Sequence, residues 1–497
     1  MASTSFEILE TTIGDIHDAY RAGRLTARRL VEMYLARIDA SDKKGPALNA
    51  IITLNPKALE DADRLDAALK SSGFVGPLHG IPVIIKDQAD AKGMPTTLGS
   101  LLFKNYYPLR DSFVVEKLKK AGAIILAKAT LGELGGGDTH GSLFGSTKNP
   151  YALDRTAGGS SGGSAVSVAA NFSTVAVGQE GLASIRRPST WNSIAGMRPT
   201  AGLVSRGGVY GGWPEVAGSL GPMARTVKDL AALMDVMVGY DPEDPLTSRG
   251  VGRAPESYTK FLDKNGLKGA RIGILREPMG FGSEPDSEDF KKVTEVFDRA
   301  VAELRAAGAE IVDPVVIPKL NELLAKRSGS FGAAEESFKV YFSGRTGAPF
   351  KSRDEAMRSP DFAKVVPHSQ ERWKRSTDPA KHYEYLLARD ELTTNVFKVM
   401  ADHKLDAIVH KAVEHQPTLI RDGINPPFVD QKGAPHLNTF LVFVPTIVVP
   451  AGFTRDNLPA GISFLGRPYD DGNMIKLAYA YEQATHHRRP PASTTPL

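Results

Sequence analysis

The chain of 497 residues contains no cysteine. This absence excludes disulfide bonds, thiolate metal sites and a cysteine nucleophile, and it is consistent with a reducing cytoplasm. Long hydrophobic runs are also missing, because no stretch approaches the ~18 consecutive apolar residues of a membrane-spanning helix. The first residues lack the basic segment and the apolar run of a secretory signal. We therefore expect a soluble, cytoplasmic protein without a membrane partner.

The chain also has little net charge. Lys and Arg number 61 and Asp and Glu number 57, which gives a net charge of +4. This excess is spread along the sequence, so we expect no nucleic-acid partner. The one basic cluster, residues 486–489, is expected to form a solvated tail. The scattered histidines lack zinc-binding spacing, so no metal is predicted, although the sequence leaves a Ser-His-Asp triad open.

Short apolar runs alternate with helical patterns along most of the chain. The run at residues 82–85 is typical of a strand that is buried on both faces. Further strands are predicted at residues 124–126, 174–177, 271–275, 310–312, 407–409, 446–449 and 461–464. Thr12 and Thr26 are predicted helix N-caps. The alternation predicts a layered α/β fold in one large domain, residues 1–497, within which the more helical residues 315–405 are predicted to form a cap.

The most unusual local sequence is Gly-Gly-Ser-Ser-Gly-Gly-Ser at residues 158–164. A flexible linker is one interpretation, but a helix-like Ala/Val segment follows immediately. A phosphate-binding loop is another, but the segment lacks the spacing and the lysine of that motif. Residues 159–163 also match the Gly-x-Ser-x-Gly nucleophile elbow, which requires a strand directly before it. A turn-rich sequence precedes this segment instead of a strand, which weakens the elbow interpretation. Each of the three interpretations is therefore weak.

A second serine and a lysine extend the pattern. Ser184 follows a buried-strand sequence and several small residues, so it can lie in a tight loop whose backbone N–H groups point at an oxyanion. Lys86 ends the strand predicted at residues 82–85. A lysine in that position can lose its charge, because burial disfavours the ammonium form. A neutral lysine could then act as the base that a serine nucleophile needs.

With Ser160 from the glycine-rich segment, these residues resemble the amidase signature family. The resemblance covers almost the whole chain and includes residues 48–50, 196–206, 221–227 and 445–466. It implies the amidase signature fold, in which helices flank a mixed, twisted central sheet. It also implies that Ser184 is the nucleophile and Lys86 the base. Ser160 would bridge them after a cis peptide bond at Gly159.

One segment departs from the family pattern. The family usually has Gly-Thr-Asp-x-Gly-Gly-Ser up to the nucleophile, whereas residues 178–184 are Gly-Gln-Glu-Gly-Leu-Ala-Ser. Glu180 keeps the acid and is expected to pair with Arg186 and hold the loop. Leu182 and Ala183 replace glycines, which permit positive φ and close approach of a ligand. We therefore predict an altered acyl pocket beside an intact triad.

The resemblance also suggests which residues contact the substrate. The predicted oxyanion donors are the backbone N–H groups of Gly181, Leu182, Ala183 and Ser184. The predicted substrate-binding residues are Gly135, Gly136 and Gly137, which align with the family loop at the acyl site, and the aromatic residues Tyr210 and Trp213.

The function implied by the resemblance is hydrolysis of a small amide, anilide or carbamate through an acyl-enzyme, without a cofactor. Leu182 and the nearby aromatic residues favour an apolar or aryl substrate. A glutaminase-type subunit of a tRNA-dependent amidotransferase is an alternative, although the atypical loop and the lack of a basic surface argue against it. A catalytically silent binding protein of the same fold is another. A homodimer is expected from the family resemblance only.

Overall fold

The computed structural model describes residues 6–211, 218–328, 334–342, 347–375 and 378–494. The strands in these ranges are β1 (Ile51–Leu54), β2 (Pro82–Lys86), β3 (Ile124–Ala129), β4 (His140–Gly141), β5 (Gly145–Ser146), β6 (Lys148–Asn149), β7 (Ala152–Thr156), β8 (Val175–Glu180), β9 (Ala195–Arg198), β10 (Ser219–Ala224), β11 (Arg271–Ile274), β12 (Glu310–Val312), β13 (Ala407–Lys411), β14 (Thr446–Phe453) and β15 (Pro459–Leu465). Every strand predicted from an apolar run is present.

Eleven of the described strands form one sheet, in the order β1-β3-β2-β8-β10-β9-β14-β15-β13-β11-β12. Strand β2 is parallel to both of its neighbours, and so is β11. The other pairs in this sheet are antiparallel. The sheet is therefore mixed, as the resemblance implied. The remaining short strands form two separate pairs, β4 with β5 and β6 with β7.

Helices cover the sheet. The described α-helices are α1 (Ile13–Arg21), α2 (Ala27–Ser41), α3 (Ala58–Ser72), α4 (Phe113–Lys120), α5 (Gly162–Ala169), α6 (Arg186–Trp191), α7 (Val227–Met237), α8 (Glu288–Ala306), α9 (Leu320–Leu324), α10 (Ala334–Phe342), α11 (Arg353–Arg358), α12 (Pro367–Lys374), α13 (Pro379–Asp402), α14 (Ile420–Ile424), α15 (Leu437–Phe440) and α16 (Asp471–Thr485). Thr12 and Thr26 cap α1 and α2 as predicted, each accepting a backbone N–H bond from three residues on. None of the described helices combines the length and apolar character needed to cross a membrane.

The core lies between the sheet and these helices. All side chains of β2 are buried, because β3 and β8 flank the strand and helix α5 covers it. On the amphipathic helix α8 the buried side chains recur at helical spacing and include Phe290, Val293 and Phe297. This helix packs on β14 and β15. The ends of β2 and β8, which carry the candidate site residues, are thus held by the buried core.

The helices between residues 315 and 405 form two apolar clusters of their own with neighbouring segments. One cluster is aromatic: Phe103 stacks on Phe342 with ring centroids 5.7 Å apart, and Phe338 and Trp373 lie beside them. The helical character predicted for this region is therefore present. Whether it acts as a cap stays a prediction.

The predicted solvated tail at residues 486–489 is wrong for two of its residues. Arg488 donates to Glu10 from Nε and Nη2, at 2.8 Å each, and only 11% of its side chain is exposed. His487 lies 2.9 Å from a carboxylate oxygen of Glu303. The cluster resembled a tail because its acidic partners are distant in the sequence.

Candidate active site

Lys86 is the last residue of β2, and its side chain is fully buried. Its Nζ donates to Ser160 Oγ at 2.7 Å and to the carbonyl oxygen of Gln179 at 3.3 Å. Both acceptors are neutral. Burial lowers the pKa of Lys86 well below its ordinary value, although the negative charge of Glu180 opposes this shift. Burial of Lys86 therefore shifts its protonation equilibrium toward the neutral amine.

A second buried lysine differs from Lys86 in its partner. Lys128 lies on the neighbouring strand β3 and is also fully buried. Its Nζ forms an ion pair with Asp87 at 2.8 Å. It also donates to Thr96 Oγ1 at 2.8 Å. The sequence alone did not single out this pair, because nothing in the apolar pattern of β3 reports which carboxylate faces the lysine.

Ser160 lies just before helix α5, after a cis peptide bond between Gly159 and Ser160. It is fully buried, and its hydroxyl donates to the carbonyl oxygen of Gly135 at 3.2 Å. Glycine is required at 159, because a Cβ atom there would lie 2.2 Å from the carbonyl oxygen of Gly137. The glycine-rich segment is thus a tightly packed turn rather than a linker.

Ser184 lies in the loop between β8 and α6. Its carbonyl oxygen accepts a hydrogen bond from the backbone N–H of Ser161 at 3.0 Å, which joins this loop to the Ser160 segment. About 8% of Ser184 is exposed, whereas Ser160 and Lys86 have no exposed surface. Three segments that are distant in the sequence therefore meet at one edge of the sheet, and among these three residues Ser184 alone has exposed surface.

Glu180 holds the Ser184 loop. One carboxylate oxygen accepts the backbone N–H groups of Ile185 and Arg186, at 2.9 and 2.8 Å. The other lies 2.5 Å from Arg186 Nη2 and 3.8 Å from Arg198 Nη1. Burial by itself would raise the pKa of Glu180, but the two arginines outweigh this effect and lower it. The predicted contact between Glu180 and Arg186 is present.

Leu182 and Ala183, which replace the usual glycines, are accommodated without left-handed backbone. Neither residue has positive φ. Both side chains are buried against Ala434, and Phe281 packs on the same small cluster. The backbone N–H groups of residues 181–184 make no hydrogen bond to the described part of the chain. An oxyanion hole requires unpaired donors, and the role of these N–H groups as oxyanion donors stays a prediction.

The predicted glycine loop lies against the same site. Gly135 has φ of 80° and bonds to Ser160 through its carbonyl oxygen. A Cβ atom on Gly136 would lie 2.5 Å from Nη1 of Arg372, and one on Gly137 would lie 3.4 Å from a carboxylate oxygen of Asp430. Close approach of protein side chains therefore explains at least part of the glycine requirement. Direct contact of these glycines with substrate stays a prediction.

Of the two predicted aromatic residues, the structure describes Tyr210. Tyr210 is buried and packs edge-on against Tyr341, with ring centroids 5.4 Å apart. Its backbone N–H donates to the carbonyl oxygen of Gln88, next to the active-site strand. Tyr210 is thus part of the aromatic cluster of the core, and its contact with substrate stays a prediction. Trp213 lies outside the described residues.

Sequence reasoning missed another buried ion pair beside the site. Arg187 donates to both carboxylate oxygens of Asp138, with the longer of the two bonds at 3.3 Å. The guanidinium also lies over the ring of Trp191, 4.1 Å from its centroid. Arg187 follows Arg186 directly, yet the two side chains serve different loops. Two consecutive arginines shortly after Ser184 were a visible signal in the sequence, but their acidic partners were not.

Known proteins are similar to this chain in both sequence and fold. A sequence model described as Amidase matches residues 29–475. A probable amidase of Arabidopsis thaliana is 34% identical, with 98% of this chain and 93% of the relative covered. A glutamyl-tRNA(Gln) amidotransferase subunit from Methanosarcina barkeri is 33% identical, with 94% and 96% covered. The crystal structure of native peptide amidase from Stenotrophomonas maltophilia superposes with a TM-score of 0.87 at 33% identity, covering 98% and 99%.

Proposed function

The chain belongs to the amidase signature family, and from this premise we propose that it hydrolyses an amide-type bond through an acyl-enzyme on Ser184. One observation carries the proposal. The amine of Lys86 is fully buried, contacts no carboxylate of the described residues and lies 2.7 Å from Ser160 Oγ. A lysine in its neutral form can accept a proton, whereas an ammonium ion cannot.

The proposed reaction proceeds in two steps. The Ser184 hydroxyl oxygen attacks the substrate carbonyl while its proton passes through Ser160 to Lys86. The backbone N–H groups of residues 181–184 stabilise the oxyanion of the tetrahedral intermediate. The carbon–nitrogen bond then breaks, and the proton returns through Ser160 to the leaving amine. Water then attacks the acyl carbon while one of its protons passes through Ser160 to Lys86. The ester bond to Ser184 breaks, the acid product leaves, and the proton returns through Ser160 to the Ser184 oxygen.

We propose a small amide, anilide or carbamate with an apolar or aryl portion as the substrate. The support is the apolar cluster of Leu182, Ala183, Ala434 and Phe281 beside the nucleophile. The peptide amidase neighbour makes a peptide carboxamide a further test compound. The decisive experiment on substrate is a hydrolysis screen over acetanilides, aliphatic amides, aryl carbamates and a dipeptide amide. Ser184→Ala serves as the blank.

The mechanism is tested by covalent labelling with a fluorophosphonate probe. We expect the wild-type protein to be labelled at Ser184, and Ser160→Ala and Lys86→Ala to be labelled about 10²–10⁴-fold more slowly. Ser167→Ala is the matched control, since this buried hydroxyl donates to the carbonyl of Gly163 at 2.7 Å within helix α5. Equal labelling of the Ser160, Lys86 and Ser167 variants would contradict the relay. No labelling of the wild type would favour a silent binding protein.

A second candidate function is a glutaminase subunit of an amidotransferase. The curated relatives named as such subunits are as similar to this chain as the amidase relatives are. This candidate predicts glutamine hydrolysis that depends on an added partner protein, with little activity on the other amides. Partner-independent hydrolysis of an anilide or carbamate would argue against it. The homodimer and the cytoplasmic location stay predictions.

A further inference from the structure

Arg327 follows helix α9 and lies over the ring of Phe281, with its guanidinium carbon 4.4 Å from the ring centroid. Phe281 packs on the cluster of Leu182, Ala183 and Ala434, which contains two residues of the Ser184 loop. The arginine is therefore separated from the nucleophile loop by a single aromatic ring. The side chains of Leu182 and Ala183 provide packing contacts in the cluster on which Phe281 lies. Glycines at these positions would have no side chains to make such contacts.

Arg327 carries its charge without an acceptor for Nε. This nitrogen is buried and has no hydrogen-bond partner among the described residues. Burial lowers the pKa of Arg327 to about 10, and among the described residues the phenol of Tyr385 opposes the shift. No carboxylate of the described residues contributes to that balance. At neutral pH the guanidinium is still charged, so it is a half-buried cation without an anionic partner in the described part of the protein.

A second unpaired nitrogen lies beside it. The ring of His436 packs on Phe281 with centroids 3.8 Å apart. Its Nε2 is buried and has no hydrogen-bond partner in the described part of the chain. Burial, followed by the charge of Arg327, lowers the pKa of His436 to about 4. The imidazole is thus neutral at neutral pH and can donate one ring N–H.

Two fully buried arginines near the Ser184 loop show what a structural role looks like. Arg198 donates to the carbonyl oxygens of Asn438 and Leu441 and lies beside Glu180. Arg186 pairs with Glu180. A buried polar group without a partner costs stability, and such groups are characteristically satisfied in folded proteins. The Nε of Arg198 also lacks a partner, but Arg327 differs in that none of its guanidinium nitrogens donates to a described residue.

We propose that Arg327 and His436 form a binding site for a carboxylate at the far end of the substrate's acyl group. This inference rests on the proposed function, because it places the ligand in the acyl pocket of Ser184. The substrate would be an amide whose acyl portion has an apolar body, which packs on Leu182 and Phe281, and a terminal anionic group. The carboxylate would accept N–H bonds from Arg327 and from His436. Arginine presents a planar set of donors that matches a carboxylate.

The experiment measures binding without turnover, in the Ser184→Ala background, by isothermal titration calorimetry. The probes are succinamate, glutaramate and adipamate, each compared with the amide in which a methyl group replaces the carboxylate: butanamide, pentanamide and hexanamide. The test variants are Arg327→Gln and Arg327→Lys. The matched control is Lys326→Gln, because this neighbouring exposed lysine has the same charge and lies 4.0 Å from Glu384.

We expect at least one carboxylate probe to bind about ten- to a hundred-fold more tightly than its methyl counterpart. Arg327→Gln should abolish that preference while the neutral amide still binds, whereas Arg327→Lys should retain part of it. Lys326→Gln should retain all of it. An equal carboxylate preference in Arg327→Gln and Lys326→Gln, or none in the parent, would overturn the inference.

Fluorophosphonate labelling of the protein with an intact Ser184 separates this inference from the proposed function. Labelling at Ser184 without a carboxylate preference in the calorimetry would overturn the carboxylate site alone. A carboxylate preference without labelling would overturn the serine mechanism alone. Circular dichroism of Arg327→Gln, compared with Lys326→Gln, shows whether the test variant is folded, and Arg327→Lys gives a second reading of the site if it is not.

Discussion

Two fully buried lysines on neighbouring strands should respond in opposite ways to the same substitution. The Lys86 amine donates to two neutral oxygen atoms, whereas Lys128 forms an ion pair with Asp87 at 2.8 Å. Methionine has nearly the volume of lysine, so Lys86→Met and Lys128→Met change packing by less than about 1.5 kcal/mol. The difference between them therefore reports the electrostatic environment of each amine.

For Lys86→Met, two contributions to the free energy of unfolding oppose each other. The lost hydrogen bonds to Ser160 and Gln179 cost about 0.5–1.5 kcal/mol each. Against this, burial of Lys86 costs the wild type about 1.4 kcal/mol for each unit by which the pH, or the folded-state pKa if that is higher, lies below the unfolded-state pKa. Lys86→Met removes that cost. We expect a free energy of unfolding near pH 7 that is unchanged or higher. Lys128→Met leaves Asp87 buried without its cation, so it should lower the free energy of unfolding by about 3–5 kcal/mol.

The pH dependence provides an independent check. The pKa of Lys86 is lower in the folded than in the unfolded state. Between the two values the unfolded chain binds more protons, so wild-type stability rises with pH by up to about 1.4 kcal/mol per pH unit. The advantage of Lys86→Met should shrink accordingly as the pH rises. Urea denaturation of wild type and both variants at three pH values, one near neutrality and one on either side of it, followed by circular dichroism, measures this.

The reasoning would be refuted if Lys86→Met lost as much stability as Lys128→Met with a difference that did not change with pH. That result would mean that Lys86 is charged in the folded protein and held by attraction. It could not then serve as the proposed base.

Three further predictions concern the Ser184 loop and its proposed base. Glu180→Gln leaves two buried arginines without their carboxylate, so the free energy of unfolding should fall by about 3–5 kcal/mol in urea denaturation. An unchanged denaturation midpoint would contradict the role of Glu180 in holding the Ser184 loop. Leu182→Gly removes packing against Phe281 and should cost about 2 kcal/mol or more. It should also widen the range of acyl groups hydrolysed, and the same substrate profile as wild type would argue against its role in the pocket. The rate of fluorophosphonate labelling should rise with pH and level off at the folded pKa of Lys86, well below 10.5, because the neutral amine is the base. A labelling rate that still rises at pH 10.5 would contradict a depressed pKa of Lys86.

Several features of this protein are determined by its sequence alone. Thr12 forms a capping box because its partner, Asp15, is three residues away in the same helix turn. The run at residues 82–85 is apolar on both faces, so it belongs in a sheet covered on both sides. The family resemblance needed only the identity and order of the glycine, serine and lysine segments. Such features depend on neighbours within a few residues, which a sequence displays directly.

The tertiary structure decided the rest, because desolvation and pairing depend on groups brought together from distant parts of the chain. Arg488 looked solvated until Glu10, at the other end of the sequence, was found 2.8 Å from it. Lys86 and Lys128 are alike in the sequence, and only their surroundings give Lys128 a carboxylate partner and Lys86 neutral acceptors. Leu182 looked like a disturbance of a glycine loop. In the folded protein it packs in a cluster with Ala183 and Ala434, and the ring of Phe281, which Arg327 covers, packs on the same cluster.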